Sequence, residues 1–167
     1  TTQDVYSIDV ATNTVGASIP TTAGNGEIRA LNRGLNGNFY GLTIPGHGNN
    51  SQLIALDGTF NTIFSISSGQ TFSYLGNQYN GWGGQNAIAA NISFIYSTDG
   101  SKLFKRDIAT GIVIDSTFIP SGIAEKNSGI DVDDCGNVYC GSQSKVYKFN
   151  SALDVVDTAS VSGAVYD

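Results

Sequence analysis

Short runs of alternating apolar and polar residues recur along this chain, each about six residues long and each broken by Gly, Asn, Asp or Thr. A period of two predicts half-buried β-strands. Four segments read alike: VYSIDVATNTVGASI from Val5, LIALDGTFNTIFSI from Leu53, LFKRDIATGIVIDSTFI from Leu103 and VYKFNSALDVVDTASV from Val146. Each is a strand, an Asp or Asn, a short polar turn, and a second strand rich in Val, Ile and Phe. The marker residues Asp9, Asp57, Asp107 and Asn150 stand 48, 50 and 43 residues apart, and the turns DVATNTV and DIATGIV are nearly the same words. An Asp or Asn there can bond backbone amides just ahead. Asn13 and Gly111 are types that accept the left-handed conformation a hairpin turn needs.

The segments between these hairpins supply two more strands per unit. Ile28 to Asn32 leads through LNGN to FYGLTI, and SGIDVDD leads through CGN to VYCGS. In the third unit TFSYLG is the expected first strand, followed by a long NQYNGWGGQNAIAAN insertion and ISFIYST. Four strands in about 45 residues describe a β-propeller blade. The expected architecture is therefore all-β, with four-stranded antiparallel blades, about three and a half of them, as a partial propeller or arc. The reading places a half blade at 4–19, blades at 27–67, 71–119 and 128–162, and the start of another at 163–167. A two-sheet sandwich would give no reason for the matching turns. Helical spacing is nearly absent, and NAIAANI, from Asn86 to Ile92, is the only candidate. An unclosed arc would leave strand edges and a blade face uncovered, so further blades or domains of a parent chain are expected partners.

Composition narrows the class. With 8 Phe, 8 Tyr, one Trp and 40% apolar residues the chain has material for a core, which disordered chains lack. Only 13% of residues are charged and the net charge is −6, which argues against nucleic acid as a partner, because such affinity comes from Lys and Arg on phosphates. No apolar run reaches the ~18 residues of a membrane span, and the opening TTQDVYSIDV has no signal-peptide pattern. There is no Met, even at position 1, so a piece of a longer protein is expected.

The stretch SGIDVDDCGNVYCGSQSKVYKFN, Ser128 to Asn150, resembles the Asp-rich first hairpin of NHL-like propeller blades. Together with IYSTDGSKLFKRDIATGIVI it is similar to a region of the gliding-motility-associated surface adhesins of Bacteroidetes, best over Ile92 to Asp167. That resemblance implies an exported protein on the surface of a Gram-negative bacterium, secreted by the type IX system. Its implied work is adhesion or gliding, with secretion components, outer-membrane proteins and surface polysaccharide as partners.

Candidate chemistry is sparse. DVDDCG at Asp131 begins like a calcium loop, but position five is Cys135 and position twelve is Ser142, so the ligand pattern fails. One histidine, His47 in PGHGNN, and two cysteines make no zinc site. GWGGQN lacks the Lys and Ser or Thr of a phosphate loop. Neither catalytic residues, metal nor cofactor is expected, and the chain reads as a non-enzymatic surface-binding segment. A second reading is part of a metal-dependent propeller hydrolase or lyase, which would draw on residues such as Asp131, Asn86 and Asn127. A third is scaffold or secretion cargo with no ligand of its own. Cys135 lies in a turn and Cys140 in the returning strand, facing a residue near Val132. Two separate thiols and a strained local disulfide both remain open. For recognition the candidates are Tyr79, Trp82 and Gln85, in QYNGWGGQN. An aromatic face flanked by amides suits a sugar, whose C–H surface stacks while the amides bond its hydroxyls. The alternative is a Trp82 that packs its own loop onto the sheet.

Overall fold

A computed structural model of the chain describes residues 4–20, 27–44, 52–67, 87–98, 102–120, 129–142 and 144–163. Among them the alternating runs form strands and no helix. Strands β1 (Asp4–Asp9) and β2 (Thr14–Pro20) pair as a two-stranded sheet. Three four-stranded antiparallel sheets follow, each with its strands in chain order. The first is β3 (Glu27–Arg33), β4 (Phe39–Ile44), β5 (Gln52–Leu56) and β6 (Thr62–Ser67). The second is β7 (Ile88–Ala90), β8 (Phe94–Thr98), β9 (Lys102–Asp107) and β10 (Val113–Phe118). The third is β11 (Ile130–Val132), β12 (Val138–Ser142), β13 (Lys145–Phe149) and β14 (Val155–Ser160). Strand β7 lies against β3 and β4 on one side and against β11 on the other. The opening strands thus sit innermost, and β14 stands exposed along its length. These are the blades of a partial β-propeller.

The core lies between sheets. Tyr40, Leu42, Leu53 and Ala55 of the first four-stranded sheet pack on Ile88 and Ile95 of the second. On the other face of the second sheet, Tyr96 and Leu103 pack against Val138, Cys140, Tyr147 and Phe149 of the third. Val5 and Ile19 of the two-stranded sheet cover Ile54 and Leu56. Each such side chain contributes roughly 1.5–3 kcal/mol on burial.

The helical expectation for Asn86 to Ile92 is overturned, because this stretch contains β7. Ala87 and Ala89 face the third sheet while Ile88 and Ala90 face the first. A strand wedged between two sheets needs apolar side chains on both faces, and that requirement overrides the helix preference of alanine. Strand β7 is also the opening strand of its sheet, from inside the supposed insertion. TFSYLG, expected in that role, lies outside the described residues.

The turns follow the expected chemistry. Asp9 Oδ1 accepts from the amides of Ala11 and Thr12 at 2.9 and 3.2 Å, and Asp107 Oδ1 from Ala109 and Thr110 at 3.1 and 2.8 Å. Asp57 Oδ1 takes the amides of Thr59 and Asn61, and Asn150 Oδ1 those of Ala152 and Asp154. Asn13 and Gly111 are left-handed, at φ 51° and 71°. The 57–61 and 150–154 turns place Phe60 and Leu153 at φ 65° and 62°, a backbone cost of roughly 1–2 kcal/mol each for a residue with a side chain. Burial offsets it: the Phe60 ring stacks on Phe39 with centroids 4.5 Å apart, and Leu153 is buried in the core. Hydrogen bonds from Thr59 and the Asn61 amide hold the Asp57 carboxyl down at about 2. Thr12 and Thr110 lower Asp9 and Asp107 in the same way.

Two predictions follow from these contacts. A Cβ on Gly111 would lie 2.8 Å from Ile66 Cδ1 and from Phe64 Cε2, in addition to its left-handed backbone. Gly111→Ala should lower unfolding stability by roughly 2–4 kcal/mol, from strain plus overpacking. At Gly37, also left-handed but with nothing within 4 Å of an added Cβ, alanine should cost only the backbone part, roughly 1–2 kcal/mol. Urea titration of the two variants checks the difference. The second concerns acid. A carboxyl whose pKa falls on folding stabilises above its unfolded value, 3.8, and that contribution is lost as pH drops toward the folded value of about 2. Stability should therefore fall between these two values. Asp57→Asn, which keeps the acceptor as Asn150 does, should fall less steeply when urea midpoints are compared across that window.

Candidate functional site

In a four-stranded meander the first and third hairpins share one end of the sheet, and the chain leaves the sheet at the other. The Asp- and Asn-bearing turns therefore gather at one end. Across sheets this alignment holds, since Gly136 in the β11–β12 turn lies beside Asn91 in the β7–β8 turn. Strand β6, outermost in its sheet, ends and β7, innermost in the next, begins at the opposite end, and in the sequence the stretch 68–86 lies between them. Tyr79, Trp82 and Gln85 belong to that stretch and lie outside the described residues, as do His47, Asn86 and Asn127.

Asp131 is described. It is exposed on β11, and its Oδ1 accepts the amide of Val132 at 2.8 Å. Among the described residues no group of three or more His, Cys, Asp or Glu is placed to hold a metal ion.

A repeated tyrosine is the feature that the sequence reading missed. Tyr40, Tyr96 and Tyr139 occupy the same position in β4, β8 and β12, opposite Asn32, Ala89 and Asp131 of the innermost strands. Two of them are tied to the turn beside them, while the Tyr96 hydroxyl is buried without a hydrogen-bond partner among the described residues. Asn36 Nδ2 donates to the Tyr40 hydroxyl at 2.8 Å, and the Tyr139 hydroxyl donates to Asp133 Oδ2 at 3.1 Å. Burial raises the Tyr96 phenol, with Asn91 of its turn acting against the rise. The signal was present as FY, IY and VY at the same place in three units.

Polar bonds also cross between sheets. The Ala90 amide on β7 donates to Asn32 Oδ1 on β3 at 3.3 Å. Lys105 Nζ on β9 donates to the Ser151 carbonyl, in the turn of the third four-stranded sheet, at 2.6 Å, and lies 4.1 Å from the Phe94 ring centroid. The Arg106 side chain is fully buried and donates to Ser97 Oγ and the Gly111 carbonyl. Desolvation lowers its pKa.

The two cysteines are separate thiols, Cys135 exposed and Cys140 buried. Cys140 stands opposite Ile130, and Val132 opposite Val138. The expected partner near Val132 is thus corrected by two residues, because the turn closes between Asp133 and Asn137. Burial pushes the Cys140 thiol up to about 12, so it is a packing residue rather than a nucleophile.

No protein-family model matches this chain, and no curated protein matches it. Solved structures do. It is similar to a protein of unknown function from Bacteroides caccae, with TM-score 0.57 and 12% identity over 96% of this chain and 55% of that one. It is similar to the calcium-binding protein regucalcin from Agrobacterium tumefaciens, with TM-score 0.56 and 12% identity over 95% and 54%. Glutaminyl cyclase from Myxococcus xanthus matches with TM-score 0.56 and 14% identity over 99% and 62%. Such neighbours are β-propeller-like proteins of the NHL and SMP-30 type, and at these identities the likeness concerns the fold. The expectation of a non-enzymatic chain does not stand. One of the structures sharing this fold is an enzyme, and sites on a propeller draw residues from several blades, so the lack of a local motif in one stretch is no argument against catalysis. The chain is a partial β-propeller that spans about half the length of the solved structures it matches.

Proposed function

We propose that this chain is the blade-forming part of an exported surface protein of a Gram-negative bacterium, which binds surface polysaccharide in adhesion or gliding motility. The observation that supports this reading lies at the two described ends of the sequence stretch 68–86. Rigid sheets hold its two anchors, β6 and β7, at the end away from the capped turns, and long connections on rigid scaffolds are where propellers and similar folds bind. That stretch combines Tyr79 and Trp82 with amides, Gln85 among them, a composition suited to a sugar ring. The resemblance of Ile92 to Asp167 to gliding-associated adhesins supports the surface location and export by the type IX system. Its partners on this reading are further blades of the parent chain, secretion components and outer-membrane proteins.

Binding of the wild-type chain and of Trp82→Ala to an array of bacterial polysaccharides tests the reading. Loss of a stacking aromatic should weaken binding by about tenfold or more. Equal binding by both removes Trp82 as the site, and capture of no polysaccharide by either removes the ligand class.

A further inference from the structure

Two sheet-to-sheet interfaces in this chain use the same tyrosine and apolar positions, each with one polar contact of its own, and a third face carries the same positions with no sheet of the described residues upon it. The relevant rows run across the sheets. Asn32, Tyr40 and Ala55 are cross-strand partners in the first four-stranded sheet. Ala89, Tyr96 and Lys105 are partners in the second, and Asp131, Tyr139 and Lys148 in the third. Beside each row stands one apolar residue of the third strand: Leu53, Leu103 and Val146.

Where a sheet follows, these positions are closed. Tyr40, Tyr96, Leu53 and Leu103 are each at most 1% exposed. Tyr139 and Val146 are only part-buried, and Asp131 is exposed. Polar members of the rows reach into the following sheet. Asn32 takes an amide of its innermost strand, Ala90, and Lys105 donates to a carbonyl of its outer turn, Ser151. Lys148 occupies the Lys105 position and rests 5.5 Å from the centroid of the Tyr139 ring. Asp131 occupies the Asn32 position and, like Asn32, can accept an amide.

We infer that the Asp131, Tyr139, Val146 and Lys148 face of β11–β14 is the seat of a further four-stranded blade of the same polypeptide. Lys148 donates to a backbone carbonyl of that blade's outer turn, and Asp131 accepts an amide of its innermost strand. The incoming face is apolar at the positions of Tyr147 and Phe149, which are buried where they meet the second sheet. Continuity with the two interfaces already formed selects a blade as the occupant. This rests on the chain being part of a larger propeller, and not on what that propeller binds.

The test is covalent footprinting of the native full-length protein, with amine acetylation for lysines and hydroxyl radicals for Tyr139 and Val146. Lys148 should acetylate roughly tenfold more slowly than exposed Lys145 on the same strand, because it reacts only when the blades part, and Tyr139 and Val146 should be protected. If Tyr139 and Val146 are protected while Lys148 reacts as fast as Lys145, the lysine contact is wrong although the larger ring stands. If all three react freely, no blade sits there and the larger ring falls with it. Protection that fades on dilution assigns the face to a second copy and overturns the inference.

Discussion

Burial between successive sheets is the interaction on which everything else in this chain depends. A sheet of four short strands cannot shelter its own faces, so Leu53 and Tyr40 become core only because Ile88 and Ile95 arrive from the next sheet. The same dependence repeats one sheet further on, where Tyr96 and Leu103 meet Val138 and Phe149. Stability in such an array is close to a sum of units and nearest-neighbour interfaces. This explains why β7, squeezed from both sides, is apolar and buried throughout, and why β14, at the rim, is exposed throughout.

Turns set the geometry within which that burial occurs. Asp and Asn side chains close the outer hairpins, and the capped turns collect at one end of the sheets. Two of them hold Phe60 and Leu153 in a left-handed backbone, where glycine would be easier. Because both side chains reach the core, the turns are part of the packing as well as punctuation. With one end given over to the capped turns, each four-stranded sheet begins and ends at the other, and the proposal of 68–86 as a binding stretch draws on that division.

Similarity of fold carries no activity with it. A calcium-binding protein and a cyclase share this architecture with the chain at 12% and 14% identity, and a blade supplies the same rigid support to either. Inside the described blades the polar groups are turned toward cohesion: Asn32 and Lys105 bond across sheets, and Arg106 is buried against Ser97 and Gly111.

Much of the architecture was legible because it is local. The period of two, the repeated Asp or Asn, and Asn13 and Gly111 at the turn positions each act within a few residues, so four-stranded units could be read directly from the sequence. The stretch 86–92 could not be read that way, since its strand exists only through pressure from sheets on both sides, and an alanine-rich run carries no local mark of that pressure. The tyrosine row and the bonds of Asn32 and Lys105 were equally hidden, because each joins residues that neighbour one another only after the strands pair and the sheets stack. Sequence alone determined most of the strands and the Asp- and Asn-capped turns between them. Tertiary structure decided which strand lies innermost and which polar side chains link the blades, because both depend on contacts between sheets distant in the chain.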